Sequence, residues 1–317
     1  MELSKEKRGL MSFNKKVKNV KSKNPIRDSF GDKVFNIFNI VLMCFLVGIV
    51  IYPIYFIIIA SVSSPEAVTN GEVWLFPNEI DLGGYQRILS EKLIWTGYKN
   101  TIIYTILGTF LNICFTIPAG YALSRKDLPY RKGIMMFLIV TMFFGGGLVP
   151  FYTLVSNLGM VNTMWALIIP KLVSVWNIFM TKAYYESLSA EGIEEAAKID
   201  GANDFMIFFK IILPISKPII SVMILFYAVG HWNSYFDAMI FISDENLYPL
   251  QLVLRDILIV ADQSTGGMAN VDSIVERLTL ANQIKYGAII VSSLPLIIFY
   301  PFIQRFFKDG IMVGSLK

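Results

Sequence analysis

Histidine, cysteine and charge are all scarce in this chain of 317 residues, which has one His, two Cys and only 16% charged residues. A single histidine, with no cysteine at ligand spacing, excludes the common imidazole and thiolate metal centres, so no metal is expected. Cys44 and Cys114 each fall inside an apolar run, where a thiol behaves as a small hydrophobe and tells nothing of the redox compartment. No Gly-x-x-x-x-Gly-Lys-Ser/Thr phosphate loop occurs, so the chain does not supply that kind of nucleotide site itself, and there is no Gly-x-Ser-x-Gly elbow for acyl chemistry. Internal repeats and low-complexity tracts are missing too. With the carboxylates gathered outside the apolar runs, no acid, base or nucleophile cluster is visible, and the chain is not read as an enzyme.

What the chain has in abundance is apolar sequence, 55% of all residues. A charged share of 16% lies well below the roughly 25% of soluble domains, which makes this a membrane protein. Apolar stretches long enough to cross a bilayer occur at about 35–60, 99–123, 133–156, 163–185, 212–235 and 286–304. The expectation is an all-α polytopic protein with six transmembrane helices and both termini on one side. The first stretch follows a polar segment and runs past signal-peptide length, so it is read as a retained span.

Basic residues fix the orientation. Residues 1–33 carry Lys5, Lys7, Arg8, Lys15, Lys16, Lys18, Lys21, Lys23, Arg27 and Lys33, and the other end carries Arg305, Lys308 and Lys317. The connection 124–132 adds Arg125, Lys126, Arg131 and Lys132 against Asp127, whereas loops 61–98 and 236–285 are poorer in base. Both termini, including the tail 306–317, are therefore expected in the cytoplasm of a bacterial cell membrane, with 34–317 forming the transmembrane domain. Topology and anionic lipid account for the basic segment, so lipid is the expected partner and nucleic acid is not.

Two segments break the apolar pattern. Gly145-Gly146-Gly147 interrupts the third stretch, where each glycine weakens a helix by about 1 kcal/mol relative to alanine; the run fits either close helix packing or a bend that lets a gate move. Residues 186–218 form a polar interlude with six acidic and four basic residues between 182 and 217. There Ser189 is placed to cap a helix through Ile199 with Glu191 early in it, and Gly201 to end it. Asp200 is placed to cap a second helix from about Ala202, carrying Phe205, Phe208 and Phe209 until Leu213-Pro214 stops or bends it. Glu194, Glu195 and Asp200 beside the small Ala196, Ala197, Gly201 and Ala202 suit insertion into a partner's basic groove.

Glu195-Ala196-Ala197, Asp200-Gly201-Ala202 and Ile211-x-Leu213-Pro214 resemble the cytoplasmic "EAA" coupling loop of ATP-binding-cassette importer permeases. Tyr121-Ala122-Leu123-Ser124-Arg125, the Leu158-to-Ala166 segment and the Gly310-to-Lys317 tail extend the resemblance to the carbohydrate-uptake, MalG-like branch, and within it to oligosaccharide permeases of the LplC/YtcP type. That resemblance covers roughly 30–317 and implies a MetI/MalG-like type I permease fold. It implies a second, homologous permease subunit, two ATPase subunits and an extracytoplasmic solute-binding protein, with ATP and Mg on the ATPases and no cofactor on this chain. It places Glu195, Ala196, Ala197 and Gly201 in the ATPase cleft, and extends, more weakly, to the tail residues Gly314, Ser315, Leu316 and Lys317. A permease for a non-sugar solute shares the same loop. A secondary transporter fits less well, since intramembrane acids and an internal repeat are both missing.

Flat rings and amides suit sugars, which makes Trp232, Asn233 and Tyr235 the first candidates for cargo contact; an interfacial aromatic belt explains the same rings. The single histidine, His231, reads as a hydrogen-bonded packing residue. Lys171 falls near the middle of the fourth stretch, where an ammonium costs about 2.5–3.5 kcal/mol. It faces an acidic sugar, a carboxylate of the companion subunit, or the interface by snorkelling.

Overall fold

The computed structural model describes residues 29–189, 192–263, 284–299 and 301. These residues are helical throughout apart from turns and one isolated bridge, Ser63 to Ile80. The chain divides into two compact units after Tyr55. What is described of the first is most of helix α1, Phe30–Ser61, apolar on nearly every side and exposed along most of its length. The second unit contains everything that follows.

Helix α2, Lys92–Ser124, is the second element long and apolar enough to cross a membrane unbroken. It begins seven residues earlier than the apolar pattern places it, because Glu91 supplies an extended turn that starts the helix before the hydrophobic run. The stretches at 133–156, 163–185 and 212–235, expected as single helices, are each bent. Helices α3, Arg131–Phe143, and α4, Leu148–Asn157, meet at 113°. Gly147 sits at φ 80°, and a Cβ added to Gly145, Gly146 or Gly147 would meet nothing within 4 Å, so within this chain the glycines serve the bend rather than close packing.

The fourth stretch turns by 45° between Trp165–Lys171 and α5, Val175–Ser189. The fifth turns by 76° at Ser216, before α7, Lys217–Trp232. Pro214 does not itself end the preceding helix; a π-helical segment, Ile207–Ile212, runs straight into Leu213–Ile215, and the chain turns just ahead of Pro218. Between these lies α6, Ile193–Ile199. Beyond α7 come α8, Phe236–Phe241, then α9, Leu250–Gln263, and a shorter apolar helix α10, Ile284–Phe299.

Helix α2 is the element the others pack against. A Cβ at Gly97 would lie 3.0 Å from the Leu250 backbone in α9, at Gly108 2.4 Å from His231 in α7, and at Gly120 2.6 Å from Thr181 in α5. The absence of side chains there is what lets three helices close on one. Its N-terminal part also holds the 236–285 connection: Asn100 Nδ2 donates to the carbonyls of Asn246 (2.7 Å) and Tyr248 (3.1 Å), and Thr101 Oγ1 accepts from Leu250 N–H at 2.8 Å. The start of that loop thus contains helices α8 and α9. Within the 61–98 connection a short helix forms over Gly83–Ser90.

Candidate docking hairpin and pathway residues

The polar interlude folds as a helical hairpin whose caps differ from those the sequence suggests. Ser189 does not cap the first helix; α5 runs through it, and α6 begins after Gly192 in the left-handed region at φ 71°. Glu191 lies outside the described residues. Gly201, at φ 80°, ends α6: its N–H donates to Lys198 O (3.0 Å) and Ala202 N–H to Ala197 O (3.0 Å), the paired bonds of a Schellman turn. Asp200 belongs to that C-terminal cap, and the cap of the second helix is Asn203, whose side-chain oxygen accepts from Met206 N–H at 2.8 Å.

This turn sorts the site residues. Ala197 is buried against Tyr185, Leu188, Ile207 and Phe208, so it anchors the hairpin and does not present itself to a partner. Ala202 packs partly on the same cluster. Glu195, Ala196, Asp200 and Gly201 are exposed, and Glu194 is partly so. Around them stand two large apolar side chains left in solvent, Ile199 at 86% and Phe205 at 78% exposure. Composition gives no hint of these two, because helical spacing alone does not tell which face of a short helix lacks a neighbour.

Charges fasten the hairpin to the connection between α2 and α3. Arg125 Nη1 donates to Asp204 at 2.6 Å and its Nε to Asp127 at 2.9 Å, with the arginine side chain only 12% exposed. Lys198 adds Asp127 at 3.6 Å, and Arg131 and Lys182 both bind Glu186. The Asp127 hydrogen bond raises the Arg125 pKa above its ordinary value despite burial, and Arg125 holds the Asp127 carboxyl well below the usual carboxylate range. Asp204 is 66% exposed, so Asp204→Asn should lower stability by less than about 1 kcal/mol in thermal unfolding. Arg125→Met should cost clearly more, since it removes both bonds of a largely buried guanidinium at once. Equal losses would show that the fork holds nothing.

A second polar group lies where the fourth stretch breaks. Asn112, fully buried in α2, donates through Nδ2 to Lys171 O (2.6 Å) and Leu172 O (2.8 Å), and its Oδ1 meets His231 Nε2 at 2.7 Å. Since the amide nitrogen faces carbonyls, Asn112 Oδ1 must accept, and Nε2 is the protonated ring nitrogen. Tyr227 Oη accepts from Ser174 N–H at 3.3 Å and bonds Thr116 Oγ1 at 2.6 Å. Broken backbone at membrane depth is tolerable because protein groups satisfy it.

The family described as "Binding-protein-dependent transport system inner membrane component" matches residues 94–313. The chain belongs to this family. Like its relatives, this permease is a component of an ABC transporter and not itself an enzyme. It is 35% identical to the polygalacturonan/rhamnogalacturonan transport system permease protein YtcP of Bacillus subtilis, over 85% of this chain and 93% of that protein. It is 33% identical to Protein LplC of the same organism, over 90% and 95%. Among solved structures, a chain of a bacterial ABC transporter involved in the import of the acidic polysaccharide alginate superposes with a TM-score of 0.76 at 36% identity, over 90% of this chain and all of that one.

The other expected pathway residues of the permease separate. Trp232 is buried, donates to Ser292 O at 3.0 Å and packs with Ile94, Leu250 and Ala288, so it is a core residue here. His231 is a packing residue, as its place in the sequence suggests. Asn233 and Tyr235 are exposed. Lys171 finds its carboxylate within this chain, forming an ion pair with Asp237, so neither a companion's carboxylate nor snorkelling is needed to explain it. Neither Asn112 nor the Lys171 to Asp237 pairing can be read from the sequence, where a lone amide in an apolar run carries no signal. Gly314, Ser315, Leu316 and Lys317 lie outside the described residues. Among the described residues no cluster of His, Cys, Asp and Glu could hold a metal ion.

Proposed function

We propose that this permease forms one half of the membrane channel of a bacterial carbohydrate importer, taking an oligosaccharide from an extracytoplasmic binding protein. Six crossings with cytoplasmic termini put the 186–218 hairpin on the side of two ATPase subunits, and a second, homologous permease completes the channel. ATP and Mg belong to the ATPases. The carbohydrate cargo is carried over from the relatives named above, whose names include a polygalacturonan/rhamnogalacturonan permease and an alginate importer.

The observation that carries docking is the tip of the hairpin. A Schellman turn leaves Glu195, Ala196 and Gly201 beside exposed Ile199 and Phe205, an apolar centre with an acidic rim on an element tied firmly to α2. Large exposed apolar side chains within a polar rim are what a partner's groove covers. Closure of the ATPase pair would then move the hairpin and, through Arg125 and the Tyr185 cluster, the spans.

Glu195→Lys tests this in the assembled transporter. Reversing an exposed charge should leave insertion and thermal stability within about 0.5 kcal/mol of wild type, while import per ATP hydrolysed drops at least tenfold. Unaltered import per ATP would remove the hairpin tip from the coupling interface. Ile199→Asp should act the same way, because the apolar centre matters as much as the rim.

A further inference from the structure

Lys171 ends the first limb of the broken fourth stretch, with the break at 172–174 following. Its ammonium pairs with Asp237 and lies 3.4 Å from Ser234 Oγ. These two partners use two of its three N–H donors. The lysine side chain is nonetheless 46% exposed, whereas Asp237 is 19% exposed. An ammonium in an apolar stretch that is half open in the single chain faces water, cargo or the companion permease, because facing lipid would cost several kcal/mol. Beside Asp237 on the same turn stand Tyr235 and Phe236, 44% and 48% exposed with rings 6.4 Å apart edge to face.

We propose that this is a carboxylate-handling station, and that the cargo is a uronate-bearing oligosaccharide whose acid groups pass over Lys171. The inference rests on the carbohydrate reading above and narrows it to acidic sugars. A cation offers the carboxylate a charge-assisted bond, and flat rings cover the C–H faces of a pyranose. The standing pair with Asp237 sets the strength. A lysine already neutralised by its neighbour attracts an incoming carboxylate weakly, and a translocation site must hold its passenger loosely enough to let it leave. Galacturonate and alginate residues share this chemistry, so the station recognises the carboxylate and does not choose between them.

The test uses proteoliposomes holding this permease with its companion, ATPase and binding-protein subunits, measuring uptake at equal occupancy of the binding protein. The probes are trimers of galacturonate and of alginate, each as the free acid and as the methyl ester. Wild type should import at least one acid trimer ten times faster than its ester, and whichever trimer is imported identifies the sugar. Lys171→Gln should cut acid uptake about tenfold and erase the preference over the ester, while Lys171→Arg keeps it within about threefold. Asp237→Asn, which releases the lysine to hold the carboxylate more tightly, should slow acid uptake at least threefold at the same occupancy. Equal import of acid and ester by wild type, or a Lys171→Gln complex that keeps the preference, would overturn the inference while leaving a carbohydrate importer in place. Failure of acidic and neutral oligosaccharides alike to enter would defeat the carbohydrate reading and this one with it.

Discussion

Asn112→Leu should destabilise the permease by about 4 kcal/mol, because it removes the partner of two carbonyls and one imidazole N–H in a fully buried place, where each orphaned group costs about 1–3 kcal/mol. Leucine is close enough to asparagine in size that the loss measures hydrogen bonding and not a cavity. The effect should be read as a lower unfolding midpoint in detergent and a smaller yield of inserted protein. Adding His231→Leu to Asn112→Leu should recover part of the loss, since the stranded imidazole disappears. A single variant within about 0.5 kcal/mol of wild type would mean that the break at 172–174 is held by something other than Asn112.

Gly108→Val should be about as damaging. A Cβ at Gly108 falls 2.4 Å from His231 Nε2 and 2.5 Å from Cε1, inside any permissible contact. The ring cannot swing aside freely, being buried and bonded to Asn112. Overpacking of this kind costs about 3 kcal/mol, and the β-branched side chain adds crowding along α2. Gly108→Ala should already be harmful. Combining it with His231→Ala should be less harmful than the sum of the two, because the smaller side chain removes the collision. Strict additivity would place the clash elsewhere.

Asn112 and Gly108 also mark where the legibility of the amino-acid sequence ends. Composition announces a membrane protein, and Glu195, Ala196 and Gly201 announce a hairpin whose turn lies where the pattern puts it. The run at Gly145–Gly147 signals a break in the helix, but it fits close packing as well as the bend that the structure has. The caps are harder, because Ser189, Asp200 and Asn203 are all competent capping types, and local preference does not decide among neighbours when the preceding helix packs onward through Tyr185 and Leu188. Arg125 and Asp204 are 79 residues apart in sequence, and no periodicity links them. Asn112, Lys171 and His231 meet only because a glycine in α2 leaves room, and a missing side chain has no pattern of its own. Trp232 misleads in a physical way: an indole prefers an apolar body with one hydrogen bond, and a helix-packing core meets that need as well as a sugar does.

The three close approaches along α2 bear on how such a channel can move. Sliding α5, α7 or α9 along α2 by a single residue, about 1.5 Å, would carry Thr181, His231 or Leu250 out of the notches that fit them and onto neighbouring side chains. Piston-like motion between these helices is therefore barred by geometry. In the channel proposed above they would travel together, as a keyed block, and a change of access would come from turning the whole block against its surroundings. The hairpin, bolted to that block through Arg125 and Tyr185, would serve as its crank.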